Sequence, residues 1–156
     1  MHEVEMDGFD RAILKALQQD ASLTNAALGD RVNLSASQCS RRRAALEAAG
    51  VIAGYSARLD PAQLGFGMRA MIRVNLRGHS QKEDDSFIDF VRRQPPVITA
   101  HSVSGDADYV LEVLVRDLAS FAEFIHNRLL PHPQVGQVRS EIVLKTIKPA
   151  QGLPLD

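Results

Sequence analysis

The spacing of apolar residues changes once along this chain, and that change limits what it can fold into. Phe9, Ile13, Leu14 and Leu17 recur at intervals of three and four, the period of a helix with one buried face. From Met68 to Leu76 the interval is two. Met68, Ala70, Ile72, Val74 and Leu76 point one way, and Arg69, Arg73, Asn75 and Arg77 point the other, with Met71 as the exception. That is a half-buried strand. A helical part up to about residue 49 therefore precedes a mixed part. With 156 residues and 45% apolar content, the chain can fill one core or two small ones.

In the helical part, Asp7 or Gly8 caps a first helix, and the DAS turn at 20–22 ends it. Thr24 caps a short second helix from Asn25 to Arg31, with Leu28 and Val32 facing inward. Asn33 follows, a residue that tolerates left-handed backbone. Ser35 caps a third helix, which Gly50 stops. A short helix, a tight turn and a longer helix with a polar, basic first half make a helix-turn-helix pattern, although a plain helical hairpin has the same spacing. Charge adds to it. The net charge is -1, but residues 1–30 carry six acidic and two basic side chains, and residues 31–58 carry five arginines against Glu47. A basic block in a balanced chain reads either as a solvated helix face or as a local phosphate-binding face.

From Val51 to Asp60 the chain reads as a strand leading into a connector at 61–67. A helix over 82–93 carries Phe87, Ile88, Phe90 and Val91, and Pro95-Pro96 breaks it. Strands at Val97–Ser104 and Tyr109–Val115 flank a GDAD hairpin turn. Asp117 caps a second helix with Leu118, Phe121, Phe124, Ile125 and Leu129, ended by Pro131 and Pro133. Val135 to Lys148 reads as a last strand, and the tail AQGLPLD as loose chain. The order is βαββαβ, the ferredoxin-like arrangement. The fold class is therefore α+β: a helix-turn-helix domain with its hinge strand at 1–60, a connector at 61–67 and a ferredoxin-like domain at 68–156. The helices cover one sheet face, and apolar residues such as Met71, Val143 and Ile147 on the other predict at least a dimer.

Catalytic signatures are sparse. The single Cys39 lies on the inward side of the third helix and reads as a small buried residue. His101, His126 and His132 have no metal-ligand spacing, and no phosphate-binding or dinucleotide loop is present. The expectation is no enzyme, no metal and no cofactor. One cysteine, no signal-like start and no apolar run near the ~20 residues of a membrane span predict a cytoplasmic protein with no membrane contact.

Three stretches carry a resemblance. FDRAILKALQQDASLTNAALGDRVNLSASQC, LEAAGVIAGYSARLDPAQLG and VSGDADYVLEV, in that order over residues 6–148, resemble the Lrp/AsnC transcription regulators. The first matches their winged helix-turn-helix and the last the signature turn of their ligand-binding domain. The resemblance implies a regulator that binds double-stranded DNA, senses a small molecule, usually an amino acid, and assembles as a homodimer, a tetramer or an octameric ring. The alternatives are an architectural DNA-binding protein of the same build without ligand response, and a small ferredoxin-like enzyme or binding module with a helical appendage. Ala27, Asn33 and Ala36 stand where the family often has glutamate, glycine and proline, and Arg43 where it usually has a branched apolar residue.

The residues assigned to DNA are Ser35, Ser37, Gln38, Arg41 and Arg42 on the outward side of the third helix. Arg42 is assigned to phosphate, Arg41 to phosphate or a guanine edge, and Gln38 to an adenine. Arg43 is assigned to packing its stem at the core rim with its head in water. What the resemblance implies for the GDAD turn is an effector site at a subunit boundary. Asp106 and Asp108 would meet the ammonium group, and the N–H groups of Ser104, Gly105 and Asp106 the carboxylate. His101 and Tyr109 would shape the side-chain pocket.

Overall fold

The computed structural model describes residues 4–78, 80–150 and 152–155. The chain divides into two compact units, Met1–Arg58 with Lys148–Asp156, and Leu59–Ile147.

The first unit is built on three helices, α1 (Gly8–Gln19), α2 (Asn25–Val32) and α3 (Ala36–Ala48). Each start is set by a side chain that accepts an otherwise unpaired N–H group: Asp7, Thr24 and Ser35. Ile13, Leu14, Ala16 and Leu17 of α1 meet Leu28 and Val32 of α2 and Cys39 and Leu46 of α3 in one apolar cluster. Phe9, read as part of the inward stripe, is instead 44% exposed. The α2–α3 turn is tight. Asn33 takes left-handed backbone at φ 57°, and its N–H and that of Leu34 both donate to the Gly29 carbonyl. Residues 51–60, expected as a strand leading into the connector, have no strand partner among the described residues. No β wing forms among its described residues.

The tail is not loose. Gln18 donates through Nε2 to the Leu153 carbonyl at 3.1 Å and accepts the Leu153 N–H through Oε1. Arg58 donates to the Ala150 carbonyl at 2.9 Å, and Leu155 packs on the three-helix core. Gln151 and Asp156 lie outside the described residues.

The second unit holds β1 (Met68–Leu76), α4 (Gln81–Arg92), β2 (Val97–Ser102), β3 (Tyr109–Val115), α5 (Leu118–Phe124, widening into a π turn at Ile125–Leu129) and β4 (Val135–Ile142). The sheet order is β2-β3-β1-β4 with antiparallel neighbours, the ferredoxin-like order. Ile72, Val74, Leu111 and Val113 bury their side chains with Phe87 and Phe124 of the helices. β4 ends six residues before the expected Lys148. Its partner β1 begins at Met68, and Val143 N–H to Arg69 carbonyl is the last rung. The open sheet face carries ion pairs: Arg69 to Glu112 at 2.5 Å and Arg73 to Glu141 at 3.4 Å, with Thr99 donating to Glu112 at 3.2 Å.

Candidate nucleic-acid interface and effector pockets

Successive helix residues turn by ~100°, so the three arginines of α3 cannot share one direction. Cys39 and Leu46 define the buried edge of α3. Arg43 and Arg42 flank that edge at about 40° and 60° to either side, while Arg41 lies about 160° away. Arg41 is exposed and has no ion-pair partner among the described residues. Ser37, one turn earlier, and the small Ala44 and Ala48 share its exposed face.

The other predicted contacts are engaged within the protein. Ser35 and Gln38 form a reciprocal cap: the Gln38 N–H donates to Ser35 Oγ at 3.2 Å, and the Ser35 N–H donates to Gln38 Oε1 at 2.9 Å. Bidentate adenine recognition needs that same Gln38 oxygen. Ser37 Oγ lies 3.1 Å from Ser35 Oγ. Arg42 does not face outward as expected. Its Nη1 sits 2.8 Å from Asp7 Oδ2 and 2.8 Å from Asp10 Oδ1, and its guanidinium lies 5.4 Å from the Phe9 ring centre. The Asp10 carboxylate, then that of Asp7, raises the Arg42 pKa. The Asp10 N–H, with Arg42 helping against partial desolvation, holds the Asp7 carboxyl below its ordinary value.

Arg43 packs at the core rim and adds contacts the sequence did not suggest. Its Nε donates to Tyr55 Oη at 2.8 Å and lies 3.3 Å from Glu47, Nη1 reaches the Leu23 carbonyl at 3.4 Å, and the guanidinium stacks on the Tyr55 ring at 4.6 Å. Tyr55 in turn donates to Glu47 at 2.6 Å. The residue that departs from the usual branched apolar type thus ties α3 to the segment that follows it.

At the GDAD hairpin the predicted effector residues separate. His101 and Tyr109 line a cavity of about 270 Å³ between α4 and the β2 edge, with Phe87, Ile88, Val91, Arg92, Ala100 and Ser102. Its walls are mainly apolar, and Arg92 is its cation. Burial, reinforced by Asp84, pushes the Tyr109 phenol pKa up. Asp106 belongs to a second cavity of about 210 Å³ with Arg73, Asn75, Ala107, Gln137 and Arg139, and its carbonyl accepts from Asn75 Nδ2 at 2.6 Å. Ser104 and Gly105 are exposed at the hairpin tip, Gly105 at φ 130°. Asp108 is not a free carboxylate: it accepts the Leu76 N–H at 2.8 Å and so holds the end of β1. Arg92 in the first cavity, and Arg73, Asn75, Gln137 and Arg139 in the second, are lining residues beyond those expected from the sequence. The polar side of the β1 alternation was the available signal for Arg73 and Asn75.

Residues 69–153 match the Lrp/AsnC ligand binding domain, and residues 6–47 match the AsnC-type helix-turn-helix domain. The chain belongs to the Lrp/AsnC family. It is 37% identical over 147 residues to the leucine-responsive regulatory protein of Rhizobium meliloti, covering 94% of each chain. It is 31% identical to the transcriptional regulator AzlB of Bacillus subtilis, covering 98% of each. A transcriptional regulator of Neisseria meningitidis solved in complex with L-Met superposes with a TM-score of 0.94 at 38% identity, over 97% of this chain and 98% of that one. This Lrp/AsnC chain is thus a transcriptional regulator with a helix-turn-helix DNA-binding domain and a ligand-binding domain, and its family is not enzymatic. No helix among the described residues is long and apolar enough to cross a membrane.

Proposed function

We propose that the protein is a sequence-specific DNA-binding regulator that acts in the cytoplasm, as a homodimer or larger ring, under control of an amino-acid effector. DNA meets the outward face of α3, with Arg41 as the phosphate or guanine contact and Ser37 beside it. The observation that carries this reading is the direction of Arg41: it alone of the three arginines lacks a partner within the described protein. Each phosphate contact on duplex DNA contributes a log–log salt slope of about -0.9. Arg41→Ala should flatten the slope by about that much and leave the helix signal unchanged; an unaltered slope would remove Arg41 from the interface.

The effector is an amino acid with an apolar side chain, bound in the cavity beside α4. Its side chain meets Phe87, Val91 and Tyr109, and its carboxylate meets Arg92. A second subunit closes the cavity over the exposed Ala100 and Ser102. The mainly apolar cavity with one cation supports this, as does the likeness to a regulator solved with L-Met. Thermal unfolding against the twenty amino acids tests it, since a ligand at 100 times its Kd stabilises by about 2.7 kcal/mol. A shift lost in Arg92→Ala supports the site. No shift with any of the twenty favours the architectural reading.

A further inference from the structure

Asp7 and Asp10 each use their two carboxylate oxygens for different tasks. One oxygen of each completes the cap of α1: the Asp10 N–H donates to Asp7 Oδ1 at 2.9 Å, and the Asp7 N–H donates to Asp10 Oδ2 at 3.2 Å. The remaining oxygens, Asp7 Oδ2 and Asp10 Oδ1, both lie 2.8 Å from Arg42 Nη1. The cap therefore fixes both carboxylates in position whether or not Arg42 is present. The guanidinium also lies against the Phe9 ring, and its side chain is 26% exposed. A phosphate that recruits Arg42 must displace two oriented anions rather than water and mobile counterions.

We propose that Asp7 and Asp10 are an internal counter-anion pair that withholds Arg42 from DNA phosphate, and so sets the sequence-independent affinity of the helical unit. The inference rests on the DNA-binding reading above. It makes the acidic start of α1 a specificity determinant, because weaker non-specific binding leaves discrimination to the groups that face base edges.

The test is fluorescence anisotropy of the full chain on a random-sequence duplex at a series of salt concentrations. Asp7→Asn/Asp10→Asn removes both charges, and asparagine remains a good cap. This double variant should bind more tightly and with a slope steeper by about 0.9, one added phosphate contact, equal to about 3.5-fold across a fourfold salt range. Adding Arg42→Gln should return the slope to the wild-type value, and Arg42→Gln alone should leave it unchanged. An unaltered slope in the double variant overturns the inference. So does a triple variant that keeps the steeper slope, since the gain is then general charge, or a slope flattened by Arg42→Gln alone, since the arginine then already touches phosphate. Should the double variant not fold, Asp7→Ser/Asp10→Asn keeps a capping hydroxyl and removes the same charges. Absence of any duplex binding by the wild type overturns the DNA-binding reading and this inference with it.

Discussion

Gly29 sits inside α2, where alanine would ordinarily stabilise the helix by about 1 kcal/mol. The α2–α3 turn reverses that expectation. A Cβ at position 29 would lie 2.4 Å from the Leu34 carbonyl oxygen, where ordinary contact begins at 3.4 Å. The obstacle is backbone, so no rotamer change relieves it. To make room the turn must open, which strains the N–H groups of Asn33 and Leu34 that both donate to the Gly29 carbonyl. Overpacking of this kind costs about 1–3 kcal/mol, and each weakened hydrogen bond about 1 kcal/mol more. With both hydrogen bonds weakened and the helix-propensity gain subtracted, Gly29→Ala should destabilise the helical unit by about 2–4 kcal/mol. The assay is urea unfolding followed by far-UV circular dichroism. An unchanged m-value with a lower midpoint is the expected result. DNA affinity should fall too, because the same turn sets the angle between α2 and α3. A variant as stable as the wild type, or more stable, would refute the argument that a backbone approach dictates glycine here.

Asp108→Ala should lower the melting temperature by several degrees with or without added amino acid, because a partly buried Leu76 N–H loses its acceptor at a cost of about 1–3 kcal/mol; an unaltered melting temperature with loss of ligand response would restore Asp108 to the effector site. Tyr55→Phe deletes the hydroxyl that accepts from Arg43 and donates to Glu47, and should release the segment after α3, seen as faster tryptic cleavage after Arg58 with the helix signal unaffected. Burial holds the His132 pKa below its ordinary value; its ring packs against those of Phe87 and Phe90, and its Nδ1 accepts the Gln134 N–H at 3.3 Å. The unfolded chain therefore takes up this proton first as pH falls, so stability present above the ordinary histidine range of about 6.5 declines as pH drops through it. His132→Phe should flatten that decline in urea midpoints measured between pH 7.5 and 5. Ala100→Phe should fill the cavity beside α4 and abolish any amino-acid-dependent melting shift while the helix signal persists.

Features governed by near neighbours were legible. Thr24, Ser35 and Asp117 cap the helices they were expected to cap, because a cap acts on an N–H group three residues away. The alternation in β1 gave its inward face, and the order of elements gave the ferredoxin-like sheet. The capping role of Gln38 was also available from the Ser-x-x-Gln spacing, although its placement in a basic helix drew it toward the DNA reading. The over-long last strand has a different cause: apolar residues continue past Ile142, but a strand persists only where a partner strand runs beside it. Residues 51–60 illustrate the same limit, being β-prone but without a partner strand among the described residues.

From its own residues, this sequence determined two units of different period, their element order, the caps of their helices and a basic third helix. The tertiary structure decided what each charged group does. Arg42 meets carboxylates 32 and 35 positions away in the chain, Asp108 meets a strand N–H 32 positions away, and the tail meets Gln18 across 135 positions. Local periodicity shows which face of a helix or strand a side chain occupies. Only packing brings distant partners within hydrogen-bonding distance, and those partners determine whether a charge holds the fold together or remains available to a ligand.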